Sequence, residues 1–222
     1  IRFLDSTREE SLVMGVAQPG QTDQPGFRFP DPVDDARRAV RFVRAGAETF
    51  GIDPGRIGML GHSSGGNLAA MAGVMDDALG NGLDPVDQTS AAVQAVVTLA
   101  APFDLTLDPD TVTPYAAQTI TSYVGEVWYG RDNWYEQRMP PHVAASPVTH
   151  VDAGSAPMWL YHGTWDWIVG VDNAQLMHTT LSQAGVESTL YLISGYGHFA
   201  TFLWSRGAED GALQFLRRHL MP

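Results

Sequence analysis

The sequence contains neither cysteine nor lysine. Without cysteine there is no disulfide, no thiolate metal site and no thiol nucleophile. Without lysine, all 13 basic residues are arginine, and 25 acidic residues outweigh them to a net charge of -12. A surface of that sign repels phosphate backbones and anionic lipid, which argues against nucleic acid or a membrane surface as partner. There is no run of about 18 apolar residues, so no membrane span is expected. The opening residues IRFLDSTREE carry no Met and no basic-then-apolar leader pattern, and a leader already removed would leave none. A cytoplasmic location is slightly favoured over a secreted one. Also missing are an H-E-x-x-H motif and any paired His/Asp cluster at ligand spacing, so no metal is expected. The acids of GLDPVDQTS lack the later Glu of a calcium loop. Glycines 15, 20 and 26 are too loosely spaced for a phosphate loop, and no cofactor is expected.

What is present is apolar enough to fold. The 222 residues are 44% hydrophobic and 17% charged, which suits one large domain spanning 1–222. Residues 32–50 place Val33, Ala36, Val40, Val43, Ala47 and Phe50 at three- and four-residue steps, behind Pro32 and early acids and ahead of Gly51. That pattern predicts an amphipathic helix. Short apolar runs at 56–61, 93–103, 157–163 and 188–195 read as buried strands. Helical segments at 65–79, 173–185 and 199–220 follow them. Buried strands alternating with helices imply a parallel sheet covered on both faces, an α/β fold. Residues 104–156, rich in Pro, Tyr, Trp and acids, interrupt the alternation. An insertion of that length reads as a cap or lid.

Within RIGMLGHSSGGNLAAMAG, residues 61–65 match G-x-S-x-G with Ser63 at the centre. A strand that turns abruptly into a helix holds its serine in strained backbone, so glycine is expected on either side, at 61 and 65. The turn lifts the hydroxyl above the strand ends. It also sets the Ser64 N–H at a helix start, where an oxyanion could be held. Ser64 is the alternative nucleophile but falls inside the first helical turn. The competing reading is a tight turn in which Ser63 only caps the helix.

A serine nucleophile needs a base, and the base an orienting acid. Asp166 lies just past the third strand and His198 just past the fourth, on a glycine-rich loop. With Ser63, that brings three groups to the carboxyl edge of one sheet, where ligands of open α/β folds bind. Of the other histidines, His178 and His219 read as surface residues, His142 and His150 precede the acid, and His162 reads as a structural hydrogen-bonder within its strand. His62 points off the elbow. Asp104, after the second strand, is the rival acid; otherwise it reads as a loop carboxylate capping backbone N–H groups. Trp165, Trp167 and Phe199, with His62, are candidate substrate-binding residues. Trp128, Tyr129 and Trp134 of the insertion could join them in an aromatic-lined pocket, or all could serve packing alone.

The segments FPDPVDDARRAVRFVRAGAETFGIDPGRIGMLGHSSGGNLAAMAG, AAVQAVVTLAAPFDL, AASPVTHV, HGTWDWIV and GYGHF, in this order, resemble the esterase/lipase branch of the α/β-hydrolases, especially bacterial carboxylesterases of the feruloyl-esterase-like group. The resemblance runs over about residues 27–220. It implies an α/β-hydrolase fold and a Ser63–Asp166–His198 hydrolase of small carboxylic esters. It also implies strands ahead of the 32–50 helix and an HGGG stretch donating oxyanion N–H groups. Neither is evident in residues 1–31, where only SLVMGVAQPGQ could form a strand and loop. Either the sequence is a fragment, or the N-terminal segment or a second copy of the chain covers the exposed edge of the 56–61 strand. Two other functions stay open: an amidase or peptidase using the same triad, and a hydrolase-like scaffold impaired by the missing HGGG segment.

Overall fold

The computed structural model describes residues 28–78, 80, 83–106, 113–124, 140–203 and 206–221. Four parallel strands, β1 (Gly58–His62), β2 (Ala95–Leu99), β3 (Met158–Gly163) and β4 (Ser188–Ile193), pair in the order β1-β2-β3-β4. Each alternates its side chains between two faces. Met59, Val96, Met158 and Leu160 face one side, against helices α1 (Asp31–Ala45), α3 (Ser64–Val74) and α6 (Val171–Gln183). Ala95, Val97, Trp159 and Tyr161 face the other, against α8 (Arg206–Leu220). Both faces of β2 and β3 are therefore dry, as continuous apolar strands require. The expected parallel sheet flanked by helices is present.

The helix expected over 32–50 is two elements. α1 ends at Gly46, and one further turn, α2 (Ala47–Phe50), closes on Gly51 in the left-handed region (φ 68). α3 stops at Val74, well short of 79. Beyond its end, Arg37, Arg41 and Arg44, on one face of α1, hold carbonyls of residues 76–92. Arg37 donates to Asp76 O and Arg41 to Ala78 O at 2.6 Å, while Arg41 and Arg44 also hold Thr89 O, Ser90 O and Ala92 O. Arginine's fork suits this task; a lysine at the same positions would present a point charge.

Residues 104–156 contain α4 (Pro114–Val124), α5 (Pro140–Ala144) and a 3-10 turn at Pro147–His150. Leu105, Val124 and Ala145 form a small cluster of their own, with Phe29, Ile120 and Tyr123 packed on it. The last expected helix begins as α7 (His198–Leu203) and resumes as α8. The strand considered at 11–21 lies outside the described residues, as do Trp128, Tyr129 and Trp134.

The backbone ladder continues one residue past three strand ends. Ser63 N donates to Leu99 O (2.9 Å), Ala100 N to Tyr161 O (2.8 Å) and Thr164 N to Ile193 O (2.9 Å). The segments that leave the carboxyl edge are thus pinned at one height.

At the first of them the expected glycine pair is half right. A β-carbon at Gly61 would fall on the carbonyl of Gly65, and one at Gly66 would meet Ala101 Cβ at 2.5 Å, but at Gly65 nothing lies within 4 Å. The close approach is between Gly61 and the first turn of α3, so the constraint sits on residues 61 and 66. Gly61→Ala should lower stability by about 3 kcal/mol or more through backbone overlap. Gly65→Ala should be neutral or stabilising by up to about 1 kcal/mol, from the lower entropy of the unfolded chain. Urea midpoints of the two variants check this. Equal losses would contradict it.

Candidate active site

Ser63 adopts φ 55 and ψ -125, a region that L residues rarely occupy. Surrounding bonds over-determine it. Its N–H is held by β2, and its carbonyl accepts from Gly66 N at 2.9 Å and Asn67 N at 3.1 Å. The hydroxyl is thereby lifted above the strand ends. Ser64 N, beside it, has no acceptor among the described residues, as befits the first turn of a helix. Asn67 donates to Pro102 O at 3.0 Å, tying α3 to the segment after β2.

The carboxylate follows β3. Trp165 N donates to Tyr196 O at 3.0 Å, which binds the loop after β3 to the loop after β4. Asp166 is buried within that junction. Its Oδ1 accepts from Ile168 N (3.0 Å) and Val169 N (2.9 Å). Its Oδ2 lies 2.8 Å from His198 Nδ1 and 3.4 Å from His162 Nε2. Burial alone would raise the pKa of this carboxyl. Donors from His162, His198 and the Val169 amide outweigh it and hold the group well below the usual carboxylate range.

The imidazole follows β4. Gly195, in the left-handed region (φ 78), turns the chain back over the sheet edge, and His198 opens α7. His198 Nε2 is 2.8 Å from Ser63 Oγ. With the ring proton on Nδ1, His198 donates to Asp166 and accepts from the serine hydroxyl. Its carbonyl accepts from Thr201 Oγ1 at 2.6 Å and from His62 Nε2 at 3.1 Å.

The three residues chosen from strand ends thus lie in one hydrogen-bonded line. Such a line can pass the hydroxyl proton to the imidazole while the carboxylate steadies the resulting charge. Asp104 stands apart: its Oδ1 accepts from Thr106 N (2.8 Å) and Thr106 Oγ1 (2.6 Å), the loop-capping role. Trp165, Trp167 and Phe199 are 72%, 67% and 62% exposed, and the Phe199 ring stands edge-on to His198 at 5.3 Å. They flank the line, open to solvent.

His62 turns off the elbow, toward His198, with its ring packed between His198 (4.9 Å) and Phe202 (5.2 Å). Burial lowers its pKa. His162 was read as structural, and it does bond Val169 O at 2.8 Å, yet it also reaches the carboxylate. Its position four residues before Asp166, at the carboxyl end of a strand, was the available signal. His178 bonds Ser188 Oγ at 2.7 Å and His150 bonds Ala144 O at 2.8 Å, both away from the line. His142 is buried in α5. Among the described residues no cluster of three or more His, Cys, Asp or Glu could hold a metal ion. No described helix is long and apolar enough to cross a membrane.

Comparison with known proteins gives the family and the fold. Residues 22–181 match the BD-FAE family. The probable carboxylic ester hydrolase LipM of Mycobacterium tuberculosis is 30% identical over 169 residues, which is 75% of this chain and 37% of LipM. The isoprenylcysteine alpha-carbonyl methylesterase ICME of Arabidopsis thaliana is 26% identical over 189 residues, 84% of this chain and 44% of that protein. The chain therefore spans less than half the length of these relatives. Among solved structures, the esterase Est2 of Thermogutta terrifontis superposes with a TM-score of 0.66 at 26% identity, covering 88% of this chain and 67% of Est2. That esterase has also been solved phosphonylated by sarin. The acetyl ester-xyloside bifunctional hydrolase of Caldicellulosiruptor lactoaceticus shares the fold, with a TM-score of 0.69 at 24% identity over 87% of this chain and 66% of that one. The fold is that of the α/β-hydrolases.

The depressed pKa of Asp166 carries a sign for stability. The group stabilises the fold fully above its unfolded value of about 3.9, and that contribution is lost as pH falls toward the folded value. Wild-type urea midpoints should therefore drop more steeply between about pH 5 and pH 3 than those of Asp166→Asn. Parallel curves for the two proteins would show that the buried carboxylate carries no such linkage.

Proposed function

The chain belongs to the BD-FAE family, and on that footing we propose that it is a serine hydrolase of small carboxylic esters, with Ser63 as nucleophile, His198 as base and Asp166 as orienting acid. The observation that carries this reading is the unbroken line from Ser63 Oγ to His198 Nε2 (2.8 Å) and from His198 Nδ1 to Asp166 Oδ2 (2.8 Å). The names of the relatives, all esterases or carboxylic ester hydrolases, favour an ester over an amide.

In the first half-reaction His198 Nε2 takes the hydroxyl proton as Ser63 Oγ adds to the ester carbonyl carbon. The charge that develops on the carbonyl oxygen falls beside the free Ser64 N–H, where the first turn of α3 adds its partial positive charge. One such donor is worth about 100- to 1,000-fold in rate. The tetrahedral intermediate collapses, His198 returns the proton to the leaving alkoxide, and an acyl-Ser63 remains. Water then adds to the acyl carbonyl with His198 again as base, releasing the carboxylic acid and free Ser63. Asp166 stays ionised throughout. It fixes the Nδ1–H tautomer and steadies the imidazolium.

Trp165, Trp167 and Phe199 leave large apolar area exposed around this line. Apolar area at a reactive edge favours a substrate with an apolar part, whose burial contributes about 25 cal/mol per Å². The 104–156 insertion, between β2 and β3, is proposed as the cap over the same edge.

Ser63→Ala should cut turnover of p-nitrophenyl acetate by about 10,000-fold or more while leaving the melting temperature unchanged. It should also abolish labelling by a fluorophosphonate, which wild type should take up at one mole per mole. Retained turnover or retained labelling would overturn the assignment. Trp167→Ala should raise KM for an aryl ester about tenfold with little change in kcat. An unchanged KM would remove the aromatic rim from the binding site.

A further inference from the structure

Behind the carboxylate sits an imidazole that the mechanism above leaves unused. His162 is the penultimate residue of β3 and is fully buried. Its Nε2 lies 2.8 Å from Val169 O and 3.4 Å from Asp166 Oδ2. A carbonyl and an ionised carboxylate can only accept, so Nε2 must hold the ring proton. On the far side Nδ1 is buried with no hydrogen-bond partner. A proton there would be desolvated and unpaired, so burial and geometry together select the Nε2–H tautomer.

Val169 is held twice. Its carbonyl accepts from His162, and its amide donates to Asp166 Oδ1 at 2.9 Å. The 166–169 turn is therefore closed from both ends, and Oδ2 has one direction left in which to meet His198. We propose that His162 is a positioning residue for the acid: it shares one N–H between Val169 and Asp166, which clamps the turn and keeps Oδ2 aimed at His198 Nδ1. The proposal rests on the triad reading of the same site. It assigns His162 no contact with substrate.

The titratable groups that face Asp166 are His162 from β3, His198 from α7 and His62 from β1. Of these, only His162 and His198 lie within 4 Å of the carboxylate. Removing the His162 donor leaves the charge on Oδ2 less shared. The carboxylate then holds the His198 imidazolium more firmly, and the free base forms only at higher pH.

Two substitutions separate this role from packing. His162→Leu fills an apolar space but cannot donate; His162→Gln places an amide N–H near the former Nε2. With p-nitrophenyl acetate, His162→Leu should lose about 10- to 100-fold in kcat with KM changed by less than about twofold. The acid limb of its kcat/KM profile should move to higher pH. His162→Gln should recover kcat to within about threefold of wild type, with the limb restored. A packing role predicts the reverse order, Leu tolerated and Gln not, and an unmoved limb. Either of those results overturns the proposal. Should both variants fail to fold, ¹⁵N-histidine NMR of the wild type decides: the His162 proton on Nε2 supports the clamp, and a proton on Nδ1 overturns it. If Ser63→Ala keeps its activity, the triad reading itself falls. Unaltered His162 variants in an enzyme that Ser63→Ala silences overturn the clamp alone.

Discussion

A row of backbone hydrogen bonds just beyond the end of the sheet fixes the height of Ser63 and of the segment that leads to Asp166. Ser63 N bonds β2, Ala100 N bonds β3 and Thr164 N bonds β4, each one step past its own strand. Because parallel strands present their carboxyl ends to one edge, that extra step brings the departing segments into a single layer. The strained turn at Ser63 survives because the bond to Leu99 O and the tight seat of Gly61 under α3 leave the chain no alternative course. Without that shared layer, three residues 135 positions apart at the extremes would have no reason to meet.

The electrostatics of the site follow from burial. A carboxylate taken out of water must be met by donors, or it takes up a proton. Asp166 meets two backbone amides and two imidazoles. One imidazole points onward to the serine and the other anchors the turn behind. His62 performs a parallel task on the other flank, gripping the carbonyl of His198 rather than its ring. Ser63 and His198 are thus surrounded by groups whose hydrogen bonds are already committed. Such preorganisation removes the need to reorient dipoles during reaction.

The features that the sequence made readable are those tied to period and punctuation. Four apolar runs bounded by glycine and proline marked the strands, and the G-x-S-x-G pattern, the chain order and the strand ends together pointed to Ser63, Asp166 and His198. The features it hid depend on contacts between distant segments. The course of the chain after α3 is held by arginines on α1. The freedom at Gly65 and its absence at Gly66 depend on Ala101 across the interface with the segment after β2. The sequence shows His162 only as a structural hydrogen-bonder and His62 only as turned off the elbow, because alternation along a strand tells which face a side chain takes but not which loop will fold over it.

The imidazole is carried by the least protected strand of the sheet. β3 is buried along its whole length, whereas no residue of β4 is fully buried, and among the described residues β4 pairs with β3 alone. Free energies of local opening differ within one molecule, and an outer strand with few buried side chains opens before the centre does. Amide exchange should thus be faster along β4 than along β3. Local opening at β4 and global unfolding are therefore separate equilibria in this molecule.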